Sequence, residues 1–240
     1  MLFLKILLMI HILGDFYFQS DKISKNKQGN NKYLAIHVLI YTILFLPLYY
    51  LNTNKISVTI TFFSIFIIHF ICDYIMKLIS KNKTLSLFVI DQMIHLSVII
   101  VFWMMLRETF IDLSFINDYL NKIEVGISFE KIISITLILL IIVKPASILI
   151  EKALPKEINK EIIVNQEEET FNFGSLIGIL ERLIIVLLAI LNLWTSIALV
   201  FTAKSISRFK QLEDKDFAQK YLIGTLLSLS ITLGVLLLFL

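Results

Sequence analysis

Residues 56–79 read ISVTITFFSIFIIHFICDYIMKLI, a mostly apolar run in which the ionisable side chains fall at one end, at His69, Asp73 and Lys77. A helix needs about 20 predominantly apolar residues to cross the hydrocarbon of a bilayer, and this run is long enough. It lacks the period-two alternation of a barrel strand, which excludes a transmembrane β-barrel. Working outward, comparable stretches lie at 2–19, 33–51, 85–106, 130–150, 174–203 and 217–240. The sequence therefore predicts an all-α, polytopic membrane protein with about seven transmembrane helices, four before a polar interval and three after it.

Composition agrees. Hydrophobic residues make up 58% of the 240 and charged residues 17%, against about 45–50% and about 25% in soluble domains. Mean hydropathy is +0.85. The net charge of +3 comes from scattered lysines rather than a basic block, so nucleic acid is not an expected partner. One cysteine, Cys72, excludes an internal disulfide and any Cys-x2-Cys zinc pattern. The first segment resembles a signal peptide in length, but it has no small-residue cleavage site and contains His11 and Asp15. It is expected to be a retained span.

Three regions follow. Residues 1–106 form a four-helix membrane repeat domain. Residues 107–173 form an amphipathic and charged linker that contains the span 130–150, with Asp112, Asp118 and Glu124 before it and Glu151, Glu157, Glu161 and Glu167–Glu169 after it. Residues 174–240 form a C-terminal two-helix membrane hairpin. Lys22, Lys25, Lys27, Lys32, Lys81 and Lys83 place the loops after spans one and three in the cytoplasm, with the N-terminus outside. The expected location is the cytoplasmic membrane of the cell, multi-pass. Strict alternation would then leave Lys204, Arg208, Lys210 and Lys215 outside, against the same bias. Either one segment is re-entrant or the bias fails in the second half.

All four histidines lie in the first four spans, and they obey one duplicated spacing. His11, Asp15 and His37 recur as His69, Asp73 and His95, a His-x3-Asp-x21-His pattern with an offset of 58. Ile-Ser-Lys-Asn-Lys also occurs twice, at 23–27 and 79–83. Two spans per copy make this a tandem parallel repeat, related by an axis along the membrane normal. Residues four apart share a helix face, so each His–Asp pair can grip one ion, and the return-helix histidine can face the aspartate across the hairpin. His11, Asp15, His37, His69, Asp73 and His95 are the candidate metal ligands. A hydrogen bond to a neighbouring helix is the alternative role for any one of them, but ionisable groups inside a span are costly and mark functional sites by default. Asp91 stands four before His95, where the first copy has Tyr33; Gln19 corresponds to Lys77. The rise per residue puts His11 about 12 Å, and Asp15 and His37 about 6 Å, from the cytoplasmic end of their spans.

Signals in the second half are weaker. Gly174 and Gly178 mark a small-residue packing face. Glu181 and Arg182 are expected either at the membrane interface or reaching the metal site. The basic cluster Lys204, Arg208 and Lys210 suits anionic lipid, and Lys144-Pro145 marks a kink.

At these residues the sequence resembles a family of bacterial integral membrane proteins known only as a domain of unknown function. The matching elements are His-x3-Asp-Phe-x2-Gln (His11, Asp15, Phe16, Gln19), His-x3-Asp-Tyr (His69, Asp73, Tyr74) and Asp-Gln-x2-His (Asp91, Gln92, His95). In the tail they are Ile-Gly-Ile-Leu-Glu-Arg (177–182), Ala-Lys-Ser-x2-Arg-Phe (203–209) and Leu-Ile-Gly-Thr-Leu (222–226). The resemblance covers nearly the whole chain and implies no activity. In His/Asp placement alone, the sequence is loosely similar to membrane-bound metal-dependent hydrolases.

The expected function is a membrane-embedded, metal-dependent hydrolase of a lipid-linked or amphiphilic ester or phosphoester on the cytoplasmic side. One or two divalent ions (Zn, Mn or Fe) suit a His/Asp donor set without thiolate. Asp91 is the candidate general base, and Lys77 the group that stabilises developing negative charge. Membrane lipids are the expected partners, and a homo-oligomer is compatible with the sequence. The alternatives are a transporter or channel for divalent metal or protons, and a scaffold or regulator with a structural ion.

Overall fold

The computed structural model describes residues 1–27, 29–79, 84–123, 126–154 and 173–240. These residues are helical, with no β-strand among them beyond a single bridge between Asn52 and Phe110. Five stretches are long and apolar enough to cross a membrane: Asn31–Tyr49, Lys55–Ile79, Leu85–Thr109, Phe129–Ala153 and Lys215–Phe239. They coincide, within a few residues at each end, with five of the seven expected spans. Lys81, Lys83, Glu124, the second Ile-Ser-Lys-Asn-Lys beyond Ile79, and the acidic stretch from Glu157 to Glu169 lie outside the described residues.

The chain divides into two compact units, Met1–Leu140 and Ile141–Leu240. In the first, α1 (Leu2–Ile12) runs directly into a π-helical turn, Leu13–Tyr17, so the expected span 2–19 is only in part α-helical. A short helix, α2 (Asp21–Asn26), is capped by Ser20 and leads to α3 (Asn31–Ile43), capped by Asn30. Next come α4 (Lys55–Ile79) and α5 (Leu85–Leu106), then a small amphipathic helix, α6 (Ser114–Lys122), and the start of α7 (Phe129–Ala153). Helix α1 packs on α5, α3 on α4, and α4 on α5. Phe3, Leu7, Tyr41, Ile65, Phe102 and Leu106 belong to the apolar core they share. Lys5 reaches Glu130 at 3.0 Å and Ser134 at 2.8 Å, and the Tyr17 hydroxyl donates to the Leu140 carbonyl at 2.9 Å; both tie α7 to the first helix and its π turn.

In the second unit, the stretch 174–203 is not one helix, as the sequence suggested, but two. Helix α8 (Phe173–Ile190) ends at Asn192, whose φ of 59° puts it in the left-handed region, and α9 (Trp194–Ser207) starts two residues later. Leu193 N–H donates to the Leu188 carbonyl at 2.8 Å and Asn192 N–H to the Ala189 carbonyl at 3.0 Å, the paired bonds that close a helix on a left-handed residue. The two helices turn back on each other: Lys204 on α9 meets Glu181 on α8 at 2.6 Å and lies over the ring of Tyr221, 5.3 Å from its centroid. At 14 residues, α9 is about 21 Å long, too short for the roughly 30 Å hydrocarbon core. Tyr221 belongs to α10 (Lys215–Phe239), which is capped by Asp214 and packs on α8.

Arg182 is 3% exposed, so its guanidinium is buried within the second unit. Its guanidinium donates to the Ile142 carbonyl at 2.6 Å, to Ser147 Oγ at 2.5 Å and to Ser228 Oγ at 3.4 Å. It thereby serves the turn of α7 that Pro145 loosens. An added Cβ at Gly178 would lie 3.4 Å from that guanidinium, in ordinary contact with it.

Candidate metal centre

The centre is built where α1, α3, α4 and α5 meet. His11 and Asp15 flank the junction of α1 with the π turn, and Asp15 sits within that turn. A π turn inserts one residue into the helical register and re-aims the side chains around it, and such turns recur at functional sites. Gly14 is required beside it, because a Cβ there would lie 2.6 Å from Tyr41 Cδ2. His37 comes from α3, His69 and Asp73 from α4, and His95 from α5. His11 and His37 are 1% exposed, His69 3% and His95 4%, so none of the four is a surface histidine.

Four donor atoms approach one another most closely. His37 Nε2 stands 3.2 Å from His69 Nε2, 3.5 Å from Asp15 Oδ1 and 3.4 Å from Asp73 Oδ2. His69 Nε2 stands 3.7 Å from Asp15 Oδ1 and 3.9 Å from Asp73 Oδ2. Ligands about 2.0–2.2 Å from a tetrahedral ion are separated by about 3.3–3.6 Å, close to the spacing of these atoms. Two three-residue sets have donors within 4.8 Å of one another, Asp15–His37–His69 and His69–Asp73–His95, and they share His69. The first set mixes the two sequence copies: His69 takes the place that the spacing alone gave to His11.

His11 instead stands behind Asp15. Its Nδ1 pairs with the Tyr41 hydroxyl at 3.0 Å and lies 3.7 Å from Asp15 Oδ2, and its ring stacks on His95 with centroids 5.7 Å apart. Tyr41 in turn stacks on His69 at 3.8 Å. His95 Nδ1 meets the Asp91 backbone carbonyl at 2.8 Å, an acceptor only, so in the neutral ring Nδ1 carries the proton and Nε2 keeps its lone pair. That Nε2 is buried without a hydrogen-bond partner, as are His69 Nδ1, Asp15 Oδ1 and Asp91 Oδ1. Orphaned buried donor atoms among nitrogen and oxygen ligands fit a divalent ion of the Zn, Mn or Fe type.

The two residues singled out for catalysis are placed differently. Asp91 lies beside the cluster, with Oδ1 3.6 Å from His95 Nδ1 and Oδ2 accepting from Gln92 at 3.4 Å. Lys77 lies apart, its ammonium on Asn31 Oδ1 at 2.5 Å. The cation at the centre is Lys27, from the turn that ends α2, with Nζ 3.2 Å from Asp73 Oδ2. With its amide oriented to satisfy both ends, Gln19 donates to the Asp15 carbonyl at 2.9 Å and accepts from Lys27 at 3.3 Å. Lys27 and Tyr41 are the participants that spacing did not identify. Lys27 is one of several lysines in a connecting segment without a helical period, and Tyr41, four residues after His37 on the same helix, carried the only available signal.

No curated protein and no solved structure matches the chain. A family model described as a protein of unknown function (DUF3307) matches residues 3–123, just over half of the chain and the whole stretch that supplies the cluster. The chain belongs to the DUF3307 family of proteins of unknown function.

Proposed function

We propose that the protein is a membrane-embedded, metal-dependent hydrolase that acts on a lipid-linked or amphiphilic ester or phosphoester from the cytoplasmic side. In this reading the chain crosses the bilayer several times and the centre lies in the cytoplasmic third of the membrane. The supporting observation is the pair of three-residue donor sets, Asp15–His37–His69 and His69–Asp73–His95, each with its donor atoms within 4.8 Å of one another. Asp15, His37 and His69 would hold one divalent ion, and Asp73 and His95 would complete a second position that shares His69. When bound there, such an ion would supply Lewis-acid polarisation of a carbonyl or phosphoryl oxygen.

The chain's own groups then divide the remaining work. Asp91 Oδ1, buried and without a hydrogen-bond partner, accepts a proton from the attacking water. Lys27 faces the negative charge that develops on the substrate, the role first read for Lys77. Gln19 holds the Lys27 ammonium in place, and Tyr41 orients both His11 and His69. The test is made on purified protein in vesicles, with metal content and turnover of lipid-linked esters and phosphoesters measured on one preparation. Bound metal with turnover is the expected result. Metal uptake into the vesicle lumen without turnover would replace this reading with transport, and absence of bound metal would overturn both.

A further inference from the structure

Helix α6 carries more apolar surface than the protein covers. At about 100° per residue, Phe115, Ile116, Tyr119, Leu120 and Ile123 share one side of it, and Ser114, Asp118, Asn121 and Lys122 share the other. The apolar side divides in two. Ile116 packs against the core of the first unit and Leu120 is half-buried, whereas Phe115 and Tyr119 are 61% and 63% exposed and Ile123 is exposed beside them. The polar side is exposed throughout. The helix cannot roll to hide its aromatic flank, because Leu113 before it is buried in the core and Asn117 Oδ1 accepts from the Phe129 N–H at 2.7 Å. It therefore presents three surfaces: one to the protein, one apolar and bare, one polar and bare.

The surroundings say what covers the bare apolar flank. The Ile111 N–H donates to the Leu51 carbonyl at 3.0 Å, and Asn52 bridges to Phe110, so the segment before α6 is joined to the stretch between α3 and α4. Tyr49 and Tyr50 are exposed at this end, with the Lys55 ammonium 4.8 Å from the centroid of Tyr49. Arg107 lies 5.5 Å from the centroid of the half-buried Trp103. Aromatic rings with basic side chains at the ends of long apolar helices mark the level where hydrocarbon gives way to headgroups. The last turns of α5 before α6 are apolar on their outward side too, through Val101, Met104 and Met105.

We propose that α6 lies in the plane of the membrane interface where α5 ends, with Phe115, Tyr119 and Ile123 set into the acyl boundary of the bilayer and Asp118, Asn121 and Lys122 in water. The occupant of the apolar flank is lipid, because that flank continues the outward surface of α5. The helix then fixes the height of the first unit in the bilayer. From His95 to Leu106 α5 rises about 17 Å, and from Lys55 to His69 α4 rises about 21 Å. Across a hydrocarbon core of roughly 30 Å, the His/Asp cluster therefore lies beyond the midplane, toward the side opposite α6. The proposal rests on the reading that α4 and α5 cross the bilayer, and it is independent of what the cluster does.

The test uses full-length protein in vesicles of phosphatidylethanolamine and phosphatidylglycerol, with nitroxide labels on single cysteines in a Cys72→Ser background. Relaxation of each label by oxygen, which concentrates in lipid, is compared with relaxation by a water-soluble nickel chelate present on both sides. Phe115→Cys and Tyr119→Cys should respond more to oxygen than to nickel, and at a shallower depth than Ile67→Cys on the outward side of α4. Asp118→Cys and Asn121→Cys should show the reverse order. Ile123→Cys, just beyond the helix, is the second reporter should a label at Phe115 or Tyr119 unfold it. Nickel-dominated relaxation at both Phe115→Cys and Tyr119→Cys would put the flank in water and overturn the proposal. Protection of both from either reagent would show that protein covers the flank, and would overturn it equally. Ile67→Cys separates the two readings: oxygen-dominated there with water at Phe115→Cys sinks the α6 proposal alone, and nickel-dominated at Ile67→Cys removes the membrane crossing with it.

Discussion

The Nε2 atoms of His37 and His69 face each other across 3.2 Å, although the two residues occupy different positions in different copies of the repeated pattern. Both atoms also face Asp15 and Asp73, so the centre is one interlocked set in which each copy supplies one histidine and one carboxylate. His69 belongs to both three-residue sets, whereas His11 supports Asp15 from behind and is held by Tyr41.

That difference predicts unequal effects of two formally equivalent substitutions. His69→Ala should strip the protein of bound metal. His11→Ala should leave metal bound and weaken it by about 10–100-fold, the usual cost of losing a group that orients a ligand. Metal titration of the two variants measures both. Equal and complete loss in His11→Ala would make His11 a direct ligand.

Much of the centre could be read from spacing because a helix repeats every 3.6 residues and the His–Asp pairs lie one turn apart on known faces. Spacing within helices does not say which faces meet. His69 therefore replaces His11 in the first donor set, through the way α4 leans on α3, and no local pattern could have revealed it. Lys27 was hidden for a different reason: it follows a six-residue helix, where nothing periodic sets its direction. The break at Asn192 was equally silent. One asparagine between Leu191 and Leu193 leaves the hydropathy of 174–203 that of a single span, while its tolerance of the left-handed region permits the reversal.

Lys27 and Lys77 should now separate. Lys27 lies against Asp73, so its ammonium neutralises a carboxylate that an incoming ion would also need under the proposed function. Lys27→Met should tighten metal binding, by removing the competing cation, and at the same time lower turnover by removing the charge that faces the substrate. Lys77→Met removes only a bond to Asn31 and should change neither. Calorimetric metal titration and turnover on both variants decide it. Weaker metal binding in Lys27→Met would show that the lysine supports the ligand set instead of competing with the ion.

Asp91 belongs to neither donor set and keeps one oxygen without a hydrogen-bond partner. Asp91→Asn preserves shape, and His95 keeps its bond to the backbone carbonyl. The variant should retain its metal while turnover falls by about 10²–10⁴-fold, the usual contribution of a general base. Should it lose metal as His69→Ala does, Asp91 is a ligand. Should it keep both, its role is packing.

The hairpin of α8 and α9 favours the first of the two alternatives for the second half, a re-entrant segment. If 174–203 crossed the bilayer once, Lys204, Arg208, Lys210 and Lys215 would emerge on the opposite side from the C-terminal end of α7. The structure instead turns the chain at Asn192 and brings Lys204 back to Glu181. The ends agree: a Cβ at Gly224, in the first half of α10, would lie 3.9 Å from Leu154, just past the end of α7. The turn itself exposes Leu191, Leu193 and Trp194, side chains suited to hydrocarbon. We therefore expect a re-entrant hairpin, with the basic cluster on the cytoplasmic side where the lysine bias places it. Single cysteines are introduced at Asn30, Glu151, Leu191 and Gln211 in a Cys72→Ser background. A membrane-impermeant maleimide should label Asn30→Cys, Glu151→Cys and Gln211→Cys from the cytoplasmic side only. Leu191→Cys should resist it from both sides and yield to a lipid-soluble reagent. Labelling of Gln211→Cys from the opposite side to Glu151→Cys would show that α8 and α9 cross as one span and that the hairpin does not form in the bilayer.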